Sequence, residues 1–182
     1  MKKTISIISV MTLSILSAFS QDLFTVKSGE VSFYSKTPVE DISAKNKKPV
    51  SILNTANNEI VVQMQIVNFK FPNSLMEEHF NENYMETTKF PTAKFNGKIN
   101  EKIDFTKDGV YNVTSTGKLN VHGVTQDRTI TGKLTINKGE IKLESNFDIA
   151  LVDHKIEVPT VVFAKIAEKI NVSLLLNYVQ KK

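Results

Sequence analysis

The stretch DGVYNVTSTGKLNVHGVTQDRTITGKLTI, residues 108–136, decides the fold. Its odd positions Tyr111, Val113, Ser115, Gly117, Leu119 and Val121 oppose Asn112, Thr114, Thr116, Lys118 and Asn120. A period of two describes a strand with one face in a core and one in water. The rhythm returns with Ile130, Gly132, Leu134 and Ile136 against Thr129, Thr131, Lys133 and Thr135. Between the two runs, HGVTQDRT (122–129) reads as a strand connection at one rim. In that reading His122 starts on the outer face, Gly123 lets the chain turn, and Asp127 and Arg128 form a solvated pair worth little.

The same alternation extends in both directions. Ile60, Val62, Met64 and Ile66 form one inward row, and Ala93 to Phe105 reads as one strand with odd positions inward. Further rows are Ile141, Leu143, Ser145, Phe147, Ile149 and Leu151, and then Val172, Leu174, Leu176 and Tyr178. Near the start, Phe24 and Val26, then Val31, Phe33 and Ser35, suggest a strand broken near Gly29. Ser51 to Leu53 reads as a short strand. Pro38 to Pro49 reads as an excursion or short helical turn. Lys107-Asp108-Gly109 and Asn137-Lys138-Gly139 are short loops with Gly near the end, as hairpins of three to five residues prefer.

Two segments depart from period two. Asn73 to Tyr84 predicts a helix, with Ser74 and Glu77 as a capping box. Leu75, Met76, His79, Phe80 and Tyr84 share one face of it. Pro159 to Glu168 predicts a second short helix, with Pro159 at its start. Roughly eight amphipathic strands at short spacing point to an antiparallel barrel, all-β with one or two short helices. A two-sheet sandwich would show the same alternation.

The 182 residues contain no Cys and no Trp. Lys2 and Lys3 precede an apolar run from Ile5 to Phe19, and Ala18-Phe19-Ser20 is a small-x-small pattern. This reads as a secretory signal peptide, residues 1–20, ahead of one domain over 21–182. Later segments fall short of the ~20 apolar residues that a membrane helix needs. Removing Lys2 and Lys3 lowers the formal charge from +4 to +2, too mild to argue for nucleic acid. An exported chain without disulfides must rely on its core.

The inward rows hold few ionisable groups, and Glu101 is the clear exception. They also hold small residues in mid-strand: Gly97, Ser115, Gly117, Gly132 and Ser145. Glycine inside a strand marks a bend or a close approach. Barrel curvature and an unfilled channel are both open on this pattern. A barrel of about eight strands is wide enough to be filled or to hold one small ligand. On the channel reading, Gly117→Phe blocks binding while the fold survives.

LMEEHFNENYMETTKFPTAKFNGKI (75–99) combines a helix with an x-Pro-x-Ala-x-Phe strand start, and DGVYNVTSTGKLNVHGVTQDRTI (108–130) carries Gly-x-Tyr-x-Val, then Gly-x-Leu-x-Val-x-Gly-Val-Thr. With these features in order over residues 24–179, the chain resembles the YceI-like family of exported, lipocalin-like proteins. It departs at the start, where members often carry Trp and His-Ser; here FTVKSGEVSF (24–33) stands instead. The resemblance implies an eight-stranded barrel with a helix near one mouth. It also implies binding of a long apolar chain, such as a polyisoprenoid, an isoprenoid quinone or a fatty amide, in the periplasm or outside the cell.

Catalytic chemistry is poorly supported. His79, His122 and His154 share no metal-ligand spacing, and Gly-x-Ser-x-Gly elbows and Gly-rich phosphate loops are missing. Asp153, His154 and His79 are the acid–base candidates. For Asp153-His154 a solvated strand end is the simpler reading. Asn112–Thr114 and Asn171–Ser173 match a glycosylation pattern inside strands, as chance does.

The expectation is therefore a binding protein rather than an enzyme, without metal or cofactor. Its partner is a lipid-like molecule, an isoprenoid or quinone included. The expected lining is Met64, Ile66, Phe95, Gly97, Ile99, Tyr111, Val113, Gly117, Leu119, Leu134, Phe147 and Ile149, with Met76 and Phe80 closing one mouth. The alternatives are an enzyme acting on such a lipid and a filled barrel acting through a protein partner. Oligomeric state is left open, a homodimer included.

Overall fold

The computed structural model describes residues 22–158 and 166–181. The signal-peptide segment, and the second predicted helix but for residues 166–168, lie outside the described residues.

The strands are β1 (Leu23–Lys36), β2 (Asp41–Asn46), β3 (Val50–Asn54), β4 (Glu59–Gln65), β5 (Thr92–Ile99), β6 (Gly109–Val121), β7 (Val124–Asn137), β8 (Glu140–Ala150) and β9 (Lys169–Gln180). All pair antiparallel, and β1 closes the sheet by pairing β9. β2 and β3 share one place in the wall: β3 pairs the start of β1 and β2 its end. The result is a closed eight-stranded barrel. Half of the Pro38–Pro49 excursion is thus strand β2. The expected break near Gly29 appears as a register shift between Val26 and Ser28.

The hairpins are tighter than the sequence suggested. Val121 pairs Val124, leaving a two-residue turn in which His122 and Gly123 both have positive φ, 52° and 73°. Lys138 and Gly139 repeat this at 49° and 79°. These are type I′ turns, whose twist matches that of the strands. Val124 to Thr129 therefore belong to β7, and the polar connection read over 122–129 shrinks to two residues. Asp127 pairs Lys118 at 2.9 Å, not Arg128.

β5 also ends sooner than its pattern. The chain leaves the sheet after Ile99, and Glu101 is a loop residue, not an inward strand residue. Its carboxylate accepts from the Thr114 N–H and Oγ1, both at 2.8 Å, and the Thr114 amide holds its pKa below the usual range. Ile103 and Phe105 fold back on the lower core.

Two apolar layers line the barrel interior. The lower one centres on Leu53, Leu134 and Leu176, each fully buried, with Ile141 and Tyr178. Ser51 Oγ donates to the Val61 carbonyl at 2.6 Å. The Tyr178 hydroxyl, 2.6 Å away, must then donate to Ser51. Burial pushes the phenol up, so it stays protonated. The upper layer includes Val31, Ile66, Phe69, Met85, Leu119 and Val172. A helix, α1 (Ser74–His79), continues through a wide turn, Phe80–Tyr84, over this end. Its cap is Asn73, whose side chain accepts from the Leu75 N–H at 2.9 Å, rather than Ser74. Glu77 instead binds Lys70 and the Phe71 N–H.

Candidate functional site

A cavity of about 470 Å3 lies inside the upper half of the barrel. Period two builds it: Val31 and Phe33, Val62 and Met64, Phe95, Val113, Leu119, Phe147 and Ile149, and Val172 and Leu174 all turn inward from their strands. Met64, Phe95 and Leu174 touch both apolar layers, so they mark its middle. The roof is aromatic. Phe33, Phe69, Phe71 and Phe80 pack with ring centroids 5.0–5.7 Å apart, Phe33 stacked on Phe80 and the other pairs tilted or edge-on, geometries that aromatic quadrupoles allow. Few polar groups reach the cavity. Glu40, Asn73 and His79 do so from the turn after β1 and from α1, Ser35 and Lys94 from β1 and β5, and Ser115, Thr131 and Ser145 along one side.

Among the expected lining residues, Met64, Ile66, Met76, Phe80, Phe95, Ile99, Val113, Leu119, Phe147 and Ile149 border this cavity. Leu134 is packed in the lower core, and Tyr111 lies against it. Gly97 and Gly117 face each other across β5 and β6. A Cβ on Gly117 would stand 2.2 Å from the Asn96 carbonyl oxygen and 2.4 Å from the Gly97 Cα. Here glycine permits a close backbone approach of β5 and β6 rather than opening space for a ligand. Gly132, Ser115 and Ser145 do border the cavity.

Phe69 and Phe71 also border the cavity, and the sequence pattern does not reveal them. NFKFP (68–72) alternates, but it is too short to stand out next to the helix that follows. Period two puts Phe33 and Leu174 inward, and both border the cavity.

The histidines separate. His79 is exposed and reaches the cavity rim. His154 is wholly buried, not a solvated strand end. It ends a 3-10 turn, Leu151–His154, and its Nδ1 lies 3.2 Å from the Val124 carbonyl oxygen. His122 is buried too, against the expected outer position, because the tight turn folds it under that segment. Its Nδ1 lies 3.2 Å from the His154 carbonyl oxygen and its Nε2 3.4 Å from Glu86, with the Phe90 ring stacked edge-on at 4.4 Å. A carbonyl oxygen only accepts, so each Nδ1 is the donor. These contacts pin the β6–β7 turn to the end of β8. Among the described residues, His, Asp and Glu form no cluster able to hold a metal ion, and none of the described helices is long and apolar enough to cross a membrane.

This architecture has close counterparts. A polyisoprenoid binding domain from Saccharophagus degradans, implicated in plant cell wall breakdown, superposes with a TM-score of 0.71 at 14% identity, over 87% of this chain and 98% of that one. Burkholderia cenocepacia BcnA gives 0.68 at 16%, over 82% and 95%. The Campylobacter jejuni YceI protein gives 0.59 at 18%, over 100% and 94%. No curated protein matches the sequence. The model of the YceI-like domain matches residues 8–178, nearly the whole chain, and the protein belongs to the YceI-like family.

Proposed function

We propose that the protein holds one apolar amphiphile, a polyisoprenoid, an isoprenoid quinone or a fatty-chain lipid, inside the barrel as a carrier or sequestering protein. The observation that carries this is the cavity itself: about 470 Å3 with an overwhelmingly apolar wall, within the range of small-molecule sites. Binding is burial. Each methylene removed from water contributes about 0.8 kcal/mol, so a long chain binds tightly without an ionic contact. The chain lies along Met64, Phe95, Leu119, Phe147 and Ile149, under Met76 and Phe80. The similar domain from Saccharophagus degradans, described as polyisoprenoid binding, supports the same ligand class. The site works outside the cytoplasm if residues 1–20 direct export, and fractionation of the producing cell tests that placement. Mass spectrometry of an organic extract of the purified protein tests the binding. A prenyl or acyl lipid at one per chain is expected. An extract without lipid, from a protein that also takes up no isoprenoid quinone, would overturn the reading.

A further inference from the structure

The barrel wall has a seam. β7 pairs β6 over its whole length, from Val124 to Ile136. β8 pairs β9 from Ile141 to Ala150. The β7–β8 ladder, however, stops at Gly132 and Ser145, although both strands continue toward the upper end. Val124–Thr131 and Asn146–Ala150 thus face each other as two strand edges without ladder bonds. In a closed sheet that is a weak line, because unpaired edge groups must find other partners.

Side chains supply those partners. Gln126 and Arg128 follow Ile130 on the inward row of β7, where a filled barrel would carry apolar groups. They instead reach across the gap. An Arg128 guanidinium nitrogen donates to the Asp148 carbonyl at 2.5 Å, and the Gln126 amide donates to the Asp153 carbonyl at 2.8 Å. Ser145 Oγ donates to the Thr131 carbonyl at 2.6 Å, at the point where the strands part.

The cavity lies directly behind this line. Ile130 and Phe147, one on each side, both border it. Val113, Thr131, Gly132 and Ser145 border both the cavity and a depression on the outer surface. Opening the barrel between β8 and β9, or between β6 and β7, would break a long ladder. Opening it here breaks only side-chain bonds: those of Arg128, Gln126 and Ser145, while the His154–Val124 and His122–His154 contacts pin its upper end.

We infer that the apolar chain passes into and out of the cavity sideways, through the seam between β7 and β8, with Arg128 and Gln126 as its latch. The inference rests on the reading of the cavity as a chain-binding site. A lateral slot lets an amphiphile keep its head in water while its chain slips in along its length. Threading under the aromatic roof is then unnecessary.

Stopped-flow uptake of a fluorescent polyene fatty acid tests this, with equilibrium titration of the same probe alongside. The chain has no cysteine, so thiols can be placed cleanly. Thr129→Cys with Asp148→Cys, joined by a short bis-maleimide, ties the seam from its exposed side. Asn146→Cys with Ser173→Cys does the same across the paired β8–β9 wall. We expect the seam tether to slow association and release together by at least about tenfold, with affinity little changed, and the control tether to leave both rates alone. Arg128→Ala should speed both rates by about tenfold, the equivalent of one charge-assisted hydrogen bond. Wild-type rates in the seam-tethered protein, at intact affinity, overturn the portal and leave the cavity reading standing. Wild-type protein that takes up none of the probe at equilibrium overturns both.

Discussion

Gly117→Ala puts the packing of the barrel to a direct test. Gly117 stands opposite Gly97 in the β5–β6 ladder. A methyl at 117 would sit 2.2 Å from a backbone oxygen and 2.4 Å from a backbone carbon. Ordinary contact is about 3.5–4.0 Å, so the strands must separate by more than an ångström. Neither neighbour can rotate away, because both are main chain. Overpacking in a tight core costs about 1–3 kcal/mol and more where the backbone must move. We expect about 3 kcal/mol or more here, and at roughly 2–4 °C per kcal/mol for a chain of this size a melting point lower by roughly 6–12 °C. Gly97→Ala is the internal comparison. Its Cβ would meet the Phe95 ring at 2.5 Å and Ser115 Oγ at 2.9 Å, both side chains with rotamers to use, so its cost should be smaller. Thermal melts followed by far-UV circular dichroism measure both. A Gly117→Ala protein that melts within about 2 °C of wild type, or above Gly97→Ala, would refute the argument that this glycine serves close strand approach.

Three further outcomes follow from the same geometry. Met64→Trp places a bulky ring where the two apolar layers meet; excluding about three methylenes of ligand should weaken long-chain binding by about 2.4 kcal/mol, roughly fiftyfold, and unchanged affinity for a titrated fatty acid would count against the cavity's role. Glu101→Gln keeps the shape of the group that accepts both Thr114 donors but removes its charge and turns one of the two acceptor oxygens into a donor, so it should cost about 1 kcal/mol and be seen as a loss of roughly 2–4 °C, an unchanged melt being the adverse result. Acid should destabilise the fold from the carboxylate side. Glu77, Glu86, Glu101 and Glu144 are held below their ordinary values, by Lys70, Lys89, the Thr114 N–H and Lys142 respectively, and Asp104 is lowered to about 2, chiefly by the Thr106 hydroxyl. A depressed native pKa favours the folded state only while the carboxylate is ionised. The contribution is full above the unfolded values near pH 4 and is lost as pH falls through the native ones. The melting temperature should therefore hold down to about pH 5 and drop toward pH 2; a flat profile over that range would contradict the assignment.

Much of this architecture is written in alternation, and the misreadings have physical causes. β8 and β9 are half-buried on one side along most of their length, so period two marks them. β2 escapes notice because DISAKN is short and places Asn46 at a buried position, where its amide donates to the Gln65 carbonyl. The pattern carries β5 too far because Ile103 and Phe105 keep the rhythm after the chain has left the sheet, their side chains returning to the lower core from a loop. The pattern cuts β7 short for the opposite reason. Gln126 and Arg128 occupy inward positions with polar side chains, because they span a gap where ladder bonds are missing. Local pattern reports which face is apolar, but it does not report which strand lies alongside. The same limit explains Gly117: its sequence position is that of an inward residue, and only the facing Gly97 reveals that the space is already taken by backbone. The cavity was legible as a run of apolar inward residues. Its roof was legible only in part: Phe80 is expected at the mouth, but Phe69 and Phe71 pack on it from a short segment that carries no clear pattern of its own.

The central claim is that the apolar cavity holds an alkyl or prenyl chain by burial. Affinity across a series of amphiphiles that share one head group and differ only in chain length measures it most directly. Each added methylene should tighten binding by about fourfold, the equivalent of about 0.8 kcal/mol, until the cavity of about 470 Å3 is full, after which the slope should flatten. An affinity independent of chain length from the shortest member onward, or no saturable binding anywhere in the series, would contradict it.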